Sequence, residues 1–161
     1  MEFVKLFIAL STHQIRYLIC GGLAINIYGI PRSTADIDLV LDLEEENVKK
    51  FLSIIASVGY FADLPISLHD LVDKEQRNDF IKNKNLIAYS FYNSSNNVMS
   101  MDVLIDTPID FEKMWSNREI RNIGGKEVTI VSIADLIVMK QYAGRLQDER
   151  DIILLSQMIK K

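Results

Sequence analysis

The sequence predicts an α+β fold: a mixed, partly antiparallel sheet with flanking helices, mainly on one face, and two closing C-terminal helices. Three observations predict it. Strand-like and helix-like patterns follow one another without the regular strand–helix–strand repetition of a parallel α/β protein. The polar stretch Asn93-Ser94-Ser95-Asn96-Asn97 separates two strand-like runs and reads as a hairpin turn. Two helical patterns, 133–143 and 146–160, end the chain behind Ser132, a good N-cap.

The elements follow in order. Phe3, Leu6, Phe7 and Leu10 recur at helical spacing, which predicts an amphipathic helix over 2–12. Tyr17 to Cys20 is a short buried strand, broken by Gly21-Gly22. Leu23 to Tyr28 suits a helix ending near Gly29, with Pro31 and Arg32 in a loop. Ile37, Leu39 and Leu41 alternate with Asp36, Asp38 and Asp42, giving a strand with one acidic face. Residues 44–58 form a helix that Gly59 ends, and 63–85 mixes helix and loop. Leu86 to Tyr92 and Val98 to Ile105 are strands. Arg121 to Val131, with Gly124-Gly125 inside it, forms a second hairpin.

The chain has 161 residues, 48% of them hydrophobic, with three prolines and no linker-like tract. This predicts one domain over 1–161. A net charge of −4 disfavours extended binding to long duplex nucleic acid, which favours basic surfaces. Cys20 lies in an apolar run and reads as a small buried hydrophobe, which suits a reducing cytoplasm. The apolar start is interrupted by Glu2 and Lys5 and no cleavage site follows, so a signal peptide is not expected. No segment reaches the ~18 apolar residues that a membrane span needs. His13 and His69 belong to no ligand-like cluster, so no zinc site is expected. Tyr28, Tyr89 and Tyr92 read as core packing ahead of base stacking.

Side chains alternate along a strand, so Asp36 and Asp38 share a face. Two carboxylates so placed repel unless a cation lies between them. A pair of divalent ions ~3.5–4 Å apart uses such geometry for in-line phosphoryl displacement. Mg²⁺ prefers a few carboxylates, waters and substrate phosphates. Asp102 supplies the third carboxylate, because Val103 and Ile105 form the buried face opposite it. The other reading makes Asp36, Asp38 and Asp42 the solvated face of an edge strand. Gly21-Gly22 between a strand and a helix favours the site, because phosphate can approach backbone N–H groups there.

Cys20-Gly21-Gly22-Leu23-Ala24 followed by Gly29-Ile30-Pro31-Arg32-Ser33-Thr34-Ala35-Asp36-Ile37-Asp38-Leu39 resembles the DNA polymerase beta-type nucleotidyltransferase superfamily. It looks most like the minimal and abortive-infection toxin-type bacterial members. A Gly-Gly or Gly-Ser pair, Arg-x-Thr-x-Asp-Ile-Asp, a third acidic residue, a late lysine and Arg-x-x-Asp make up that pattern. Asp102, Lys140 and Arg145-Leu146-Gln147-Asp148 match its later parts. The resemblance spans roughly 17–151. It implies transfer of a nucleoside monophosphate from a nucleoside triphosphate, with Mg²⁺ or Mn²⁺ at Asp36, Asp38 and Asp102. Gly21, Gly22, Arg32, Thr34 and Lys140 would serve the nucleotide, supported by Arg145 and Asp148. Many members carry Gly-Ser, whose hydroxyl contacts phosphate; Gly22 offers only its N–H.

Lys140 falls in the apolar stripe of Ile133, Leu136 and Ile137. It either pairs structurally with Asp148 or stays hydrated at the cleft to meet triphosphate, and the second is the expectation. The acceptor is expected to be a small molecule, an RNA end or a protein, with Lys74, Arg77, Lys82 and Lys84 the candidates for touching an acidic one. An antitoxin is a further possible partner. Two other readings stand beside the transferase: a catalytically idle relative that binds nucleotide or a partner, and a two-metal phosphohydrolase.

Overall fold

The computed structural model describes residues 3–65, 67–95 and 99–160. Its elements are α1 (Phe3–Thr12), β1 (Tyr17–Cys20), α2 (Gly21–Ile27), β2 (Asp36–Leu41), α3 (Glu45–Ser57), β3 (Tyr60–Ala62), α4 (Leu68–Val72), α5 (Lys74–Lys84), β4 (Ala88–Asn93), β5 (Ser100–Leu104), α6 (Phe111–Asn117), β6 (Glu119–Ile123), β7 (Lys126–Ile130), α7 (Ile133–Ala143) and α8 (Leu146–Ile159). One seven-stranded sheet runs β3-β4-β5-β2-β1-β7-β6. The β2–β5 and β1–β7 pairs are parallel; the other four are antiparallel. The predicted α+β class with a mixed sheet is the class observed.

β2 is central, held between β5 and β1. That overturns the edge-strand reading of its aspartates. Ile37 and Leu39 are fully buried in the core. Burying such side chains stabilises by roughly 1.5–3 kcal/mol each. Asp42 is not a solvated residue either: Arg16 Nη1 donates to it at 2.5 Å, beneath the Phe111 and Trp115 rings. α1 buries Leu6, Phe7 and Leu10, and Phe7 stacks on Tyr17 with ring centroids 6.0 Å apart.

α7 starts as its sequence predicts, with Ser132 Oγ accepting the Asp135 N–H at 3.2 Å. It ends at Gly144, whose φ of +63° favours glycine. The helix predicted from Leu23 begins two residues earlier, so Gly21 and Gly22 form its first turn. The ambiguous 63–85 stretch contains α4 and α5. β3 and α6 were not expected. The hairpin predicted around 93–97 is present as the β4–β5 pair, though Asn96 and Asn97 lie outside the described residues. Cys20 is buried, and His13 and His69 are exposed. Tyr28 and Tyr89 are buried, while Tyr92 is half exposed and packs on Phe61. Among the described residues no helix is long and apolar enough to cross a membrane.

Candidate active site

The sheet register assembles the carboxylates. Asp38 on β2 lies directly opposite Asp102 on β5, and on its other side opposite Cys20, the last residue of β1. Asp36 and Asp38 share a face because they are two apart on one strand. Ser90 on β4 pairs with Asp102 and donates its hydroxyl to Asp102 Oδ1 at 2.6 Å, which orients that carboxylate. Burial, with the Asp36 and Asp102 charges added, pushes the Asp38 carboxyl up to about 6, and Lys140 and Arg145 only partly oppose this.

Two glycines bring backbone against this row. Gly21 has φ +61°, and a β-carbon built there would lie 1.8 Å from Asp38 Oδ2. Only glycine allows that approach. A β-carbon on Gly22 would lie 2.8 Å from Thr34 Oγ1 and 3.6 Å from Arg32 Nη1. Thr34 therefore fills the space that a serine side chain at position 22 would need, which accounts for Gly-Gly in place of Gly-Ser. Thr34 itself orders the loop, donating to the Asp36 carbonyl at 3.1 Å. Asn26 on α2 clamps the same loop, accepting from Arg32 N–H at 2.7 Å and donating to Arg32 O at 2.9 Å.

The cations form one alternating chain. Arg32 Nη1 meets Asp151 Oδ2 at 2.6 Å, Asp151 Oδ2 meets Lys140 Nζ at 2.9 Å, and Lys140 Nζ meets Asp148 Oδ1 at 2.9 Å. Arg145 Nε completes it at 2.9 Å from Asp148 Oδ2. Lys140 is 4% exposed, so the expectation that it stays hydrated is overturned. Two carboxylates replace its lost hydration. The Arg32 side chain is largely buried as well, at 17% exposure. Burial alone would raise Asp148, but hydrogen bonds from Arg145 and Lys140 outweigh it and hold the carboxyl at about 2.

All ten residues singled out from the sequence line one cleft of about 910 Å³. Lys74, Arg77, Lys82 and Lys84 do not line it. Arg77 is spent on the carbonyls of Leu71 and Val72, and Lys84 lies over the Phe80 ring. Sequence reasoning missed Ser90, Asp151, Asp106 and Tyr142. Asp151 had a signal: it follows Asp148 by three residues, so both lie on one side of α8.

Among the described residues, no group of three or more His, Cys, Asp or Glu side chains forms a ready metal cage. Mg²⁺ does not need one, because it binds through one or two carboxylates and completes its shell with water and phosphate oxygens. The donors fit a hard cation. They are all carboxylate oxygens, with Asp38 facing Asp102 across the β2–β5 pair and Asp36 two residues away on the same strand face.

A mixed sheet carrying an Asp-x-Asp strand, a partner aspartate in register and a glycine turn against them defines the nucleotidyltransferase class. The chain belongs to the family described as nucleotidyltransferase of unknown function (DUF6036), whose model matches residues 2–160. This fits the DNA polymerase beta-type superfamily. No curated protein matches the sequence. Three similar solved structures show the same fold. The lincosamide antibiotic adenylyltransferase LnuA, solved with lincomycin bound, is 13% identical with a TM-score of 0.62, over 96% of this chain and 94% of that one. ANT(2")-Ia, solved in complex with adenylyl-2"-tobramycin, is 14% identical with a TM-score of 0.58, over 96% and 86%. An antigenic nucleotidyltransferase-like protein from Paracoccidioides brasiliensis is 19% identical with a TM-score of 0.53, over 96% and 76%.

Proposed function

We propose that this protein transfers a nucleoside monophosphate from a nucleoside triphosphate to an acceptor hydroxyl, releasing pyrophosphate. The observation that carries this reading is the register of Asp38 against Asp102, with Asp36 beside them and Gly21 packed on Asp38. Asp36, Asp38 and Asp102 would hold Mg²⁺ or Mn²⁺, which when bound neutralises triphosphate charge and lowers the pKa of the attacking hydroxyl.

The chain's own groups do the rest. The N–H groups at Gly21 and Gly22 open the start of α2 to phosphate. Arg32, Lys140 and Arg145 outnumber Asp148 and Asp151 by one charge in their network, and Arg145, its exposed member, offsets the charge that builds on the leaving pyrophosphate. Lys140, held between Asp148 and Asp151, positions the network. The acceptor oxygen bonds to the α-phosphorus as the bond to pyrophosphate breaks, and the hydroxyl proton passes to Asp102. Ser90 orients Asp102 for this by donating to its Oδ1 oxygen. LnuA and ANT(2")-Ia, one named an adenylyltransferase and the other solved with an adenylylated antibiotic, support transfer ahead of hydrolysis.

Calorimetry with Mg²⁺ and a non-hydrolysable triphosphate analogue tests the site. Each ligand should tighten the other in the wild type, and Asp36→Asn and Asp38→Asn should lose that coupling. Unchanged coupling in both variants would overturn the assignment. Label followed from the α-phosphate should reach an acceptor; release as free monophosphate would favour a phosphohydrolase. The toxin role that the resemblance implies predicts growth arrest on expression of the wild type and none with Asp38→Asn.

A further inference from the structure

The cleft is electrically lopsided. The three cations that line it, Arg32, Lys140 and Arg145, gather around Gly22 and Asp38. β4 lies two strand spacings from β2, about 10 Å, on the side away from β1 and its glycine turn. At that far end the lining changes character. Ala88 and Leu104 pair across β4 and β5 one row beyond Ser90 and Asp102. Ile87 is 61% exposed beside them, and Pro108 continues the apolar surface. One charge closes this end: Asp106, whose two oxygens accept the Tyr142 hydroxyl at 3.0 and 2.9 Å. Among the described residues, no lysine or arginine lines the cleft there.

We propose that this end is the acceptor subsite and that its occupant is a small hydroxylated amine with an apolar face. The proposal rests on the transfer reading above. In-line displacement puts the attacking oxygen opposite the leaving group. With the pyrophosphate at the net-positive Gly22 end, the acceptor enters from beyond Asp102. There it meets an apolar floor and a carboxylate with no cation beside it. A protonated amine satisfies Asp106, whereas a polyanion such as an RNA end brings negative charge against a carboxylate whose partner is the neutral Tyr142 hydroxyl. A cleft of about 910 Å³ sits near the top of the ~300–1,000 Å³ range of small-molecule sites, room for a nucleotide and a compact acceptor side by side. Tyr142 ties the end of α7 to the segment after β5 and holds Asp106 in position.

The test uses the whole protein with Mg²⁺ and each α-labelled nucleoside triphosphate. The acceptors are 2-amino-1-phenylethanol, 2-aminocyclohexanol and methyl glucosaminide, each beside its N-acetyl counterpart, and bulk RNA. The expected result is labelling of a free amine about tenfold better than its acetylated partner, with RNA unlabelled. Asp106→Asn should abolish that preference while affinity for a non-hydrolysable triphosphate stays within about twofold. Labelling of RNA in place of the amines, equal labelling of acetylated compounds, or no labelled amine while the analogue binds would each overturn the proposal. So would a loss of analogue affinity in Asp106→Asn, since the end would then hold the nucleotide base. If the analogue itself fails to bind with Mg²⁺, it is the transfer reading that falls.

Discussion

Gly21 packs directly against the Asp38 carboxylate: a β-carbon on the glycine would stand 1.8 Å from the Asp38 Oδ2 oxygen. The glycine turn and the carboxylate are thus one construction. Backbone at the start of α2 can lie against the acidic strand only because position 21 has no side chain.

Gly21→Ala should therefore remove nucleotide binding as well as stability. The added carbon pushes Asp38 aside, and φ +61° strains any L-residue by roughly 1–2 kcal/mol. Gly29→Ala is the control: its φ is +94°, but a β-carbon there meets nothing within 4 Å. Both variants should lose stability in urea, and only Gly21→Ala should lose Mg²⁺-dependent affinity for a triphosphate analogue. Equal affinity in the two would show that the Gly21–Asp38 contact does not matter to the ligand.

The glycine pair and the three aspartates were legible because each rests on a local rule: a chain break between strand and helix, and alternation along a strand. What escaped depends on tertiary register. Ser90 faces Asp102 only because of how β4 and β5 align, and the polar loop between them does not reveal the offset. β3, with three residues, is too short to show alternation, and α6, with seven, shows few turns of period. Lys140 was legible as an anomaly in an apolar stripe, but its second partner, Asp151, was not counted. With Arg145 available to pair with Asp148, and a late lysine in the pattern that the chain resembles, the sequence favours a hydrated Lys140.

Lys140→Met should destabilise the protein by about 3 kcal/mol, the low end for breaking a buried pair. Asp148 and Asp151 would lose the cation between them, but each keeps an arginine partner. Arg145→Ala is the contrast. Its side chain is 61% exposed, so its loss should cost less than about 1 kcal/mol. Urea unfolding of both variants decides this, and a Lys140→Met protein as stable as wild type would refute the buried network.

The same network sets an acid limit. Asp148 is held at about 2, below the ordinary ~3.9 of an aspartate. A depressed carboxylate contributes stability that is complete above the unfolded value and is lost as pH falls through the folded one. The contribution, roughly 2 kcal/mol at neutral pH, should fade between about pH 4 and pH 2. The stability gap between wild type and Asp148→Asn should accordingly shrink across that window. A gap that stays constant from pH 5 to pH 2 would rule the linkage out.

Asp38 carries the opposite sign. Its carboxyl is raised to about 6 by burial and by Asp36 and Asp102, so ionising it works against the fold. The penalty is absent below the unfolded value near ~4 and complete above about 6. In metal-free buffer at neutral pH, Asp38→Asn should thus be more stable than wild type, by roughly 2 kcal/mol. The advantage should disappear below about pH 4, where both side chains are neutral. With Mg²⁺ and a triphosphate analogue present, ligand binding stabilises only the chain that can hold them. The order should then reverse, with wild type the more resistant to urea. Measured in chelator and again with ligands, the two curves separate a site strained for binding from three aspartates that merely share a sheet face. An Asp38→Asn protein less stable than wild type in chelator would mean that the native carboxylate is already compensated and that no cation is needed there.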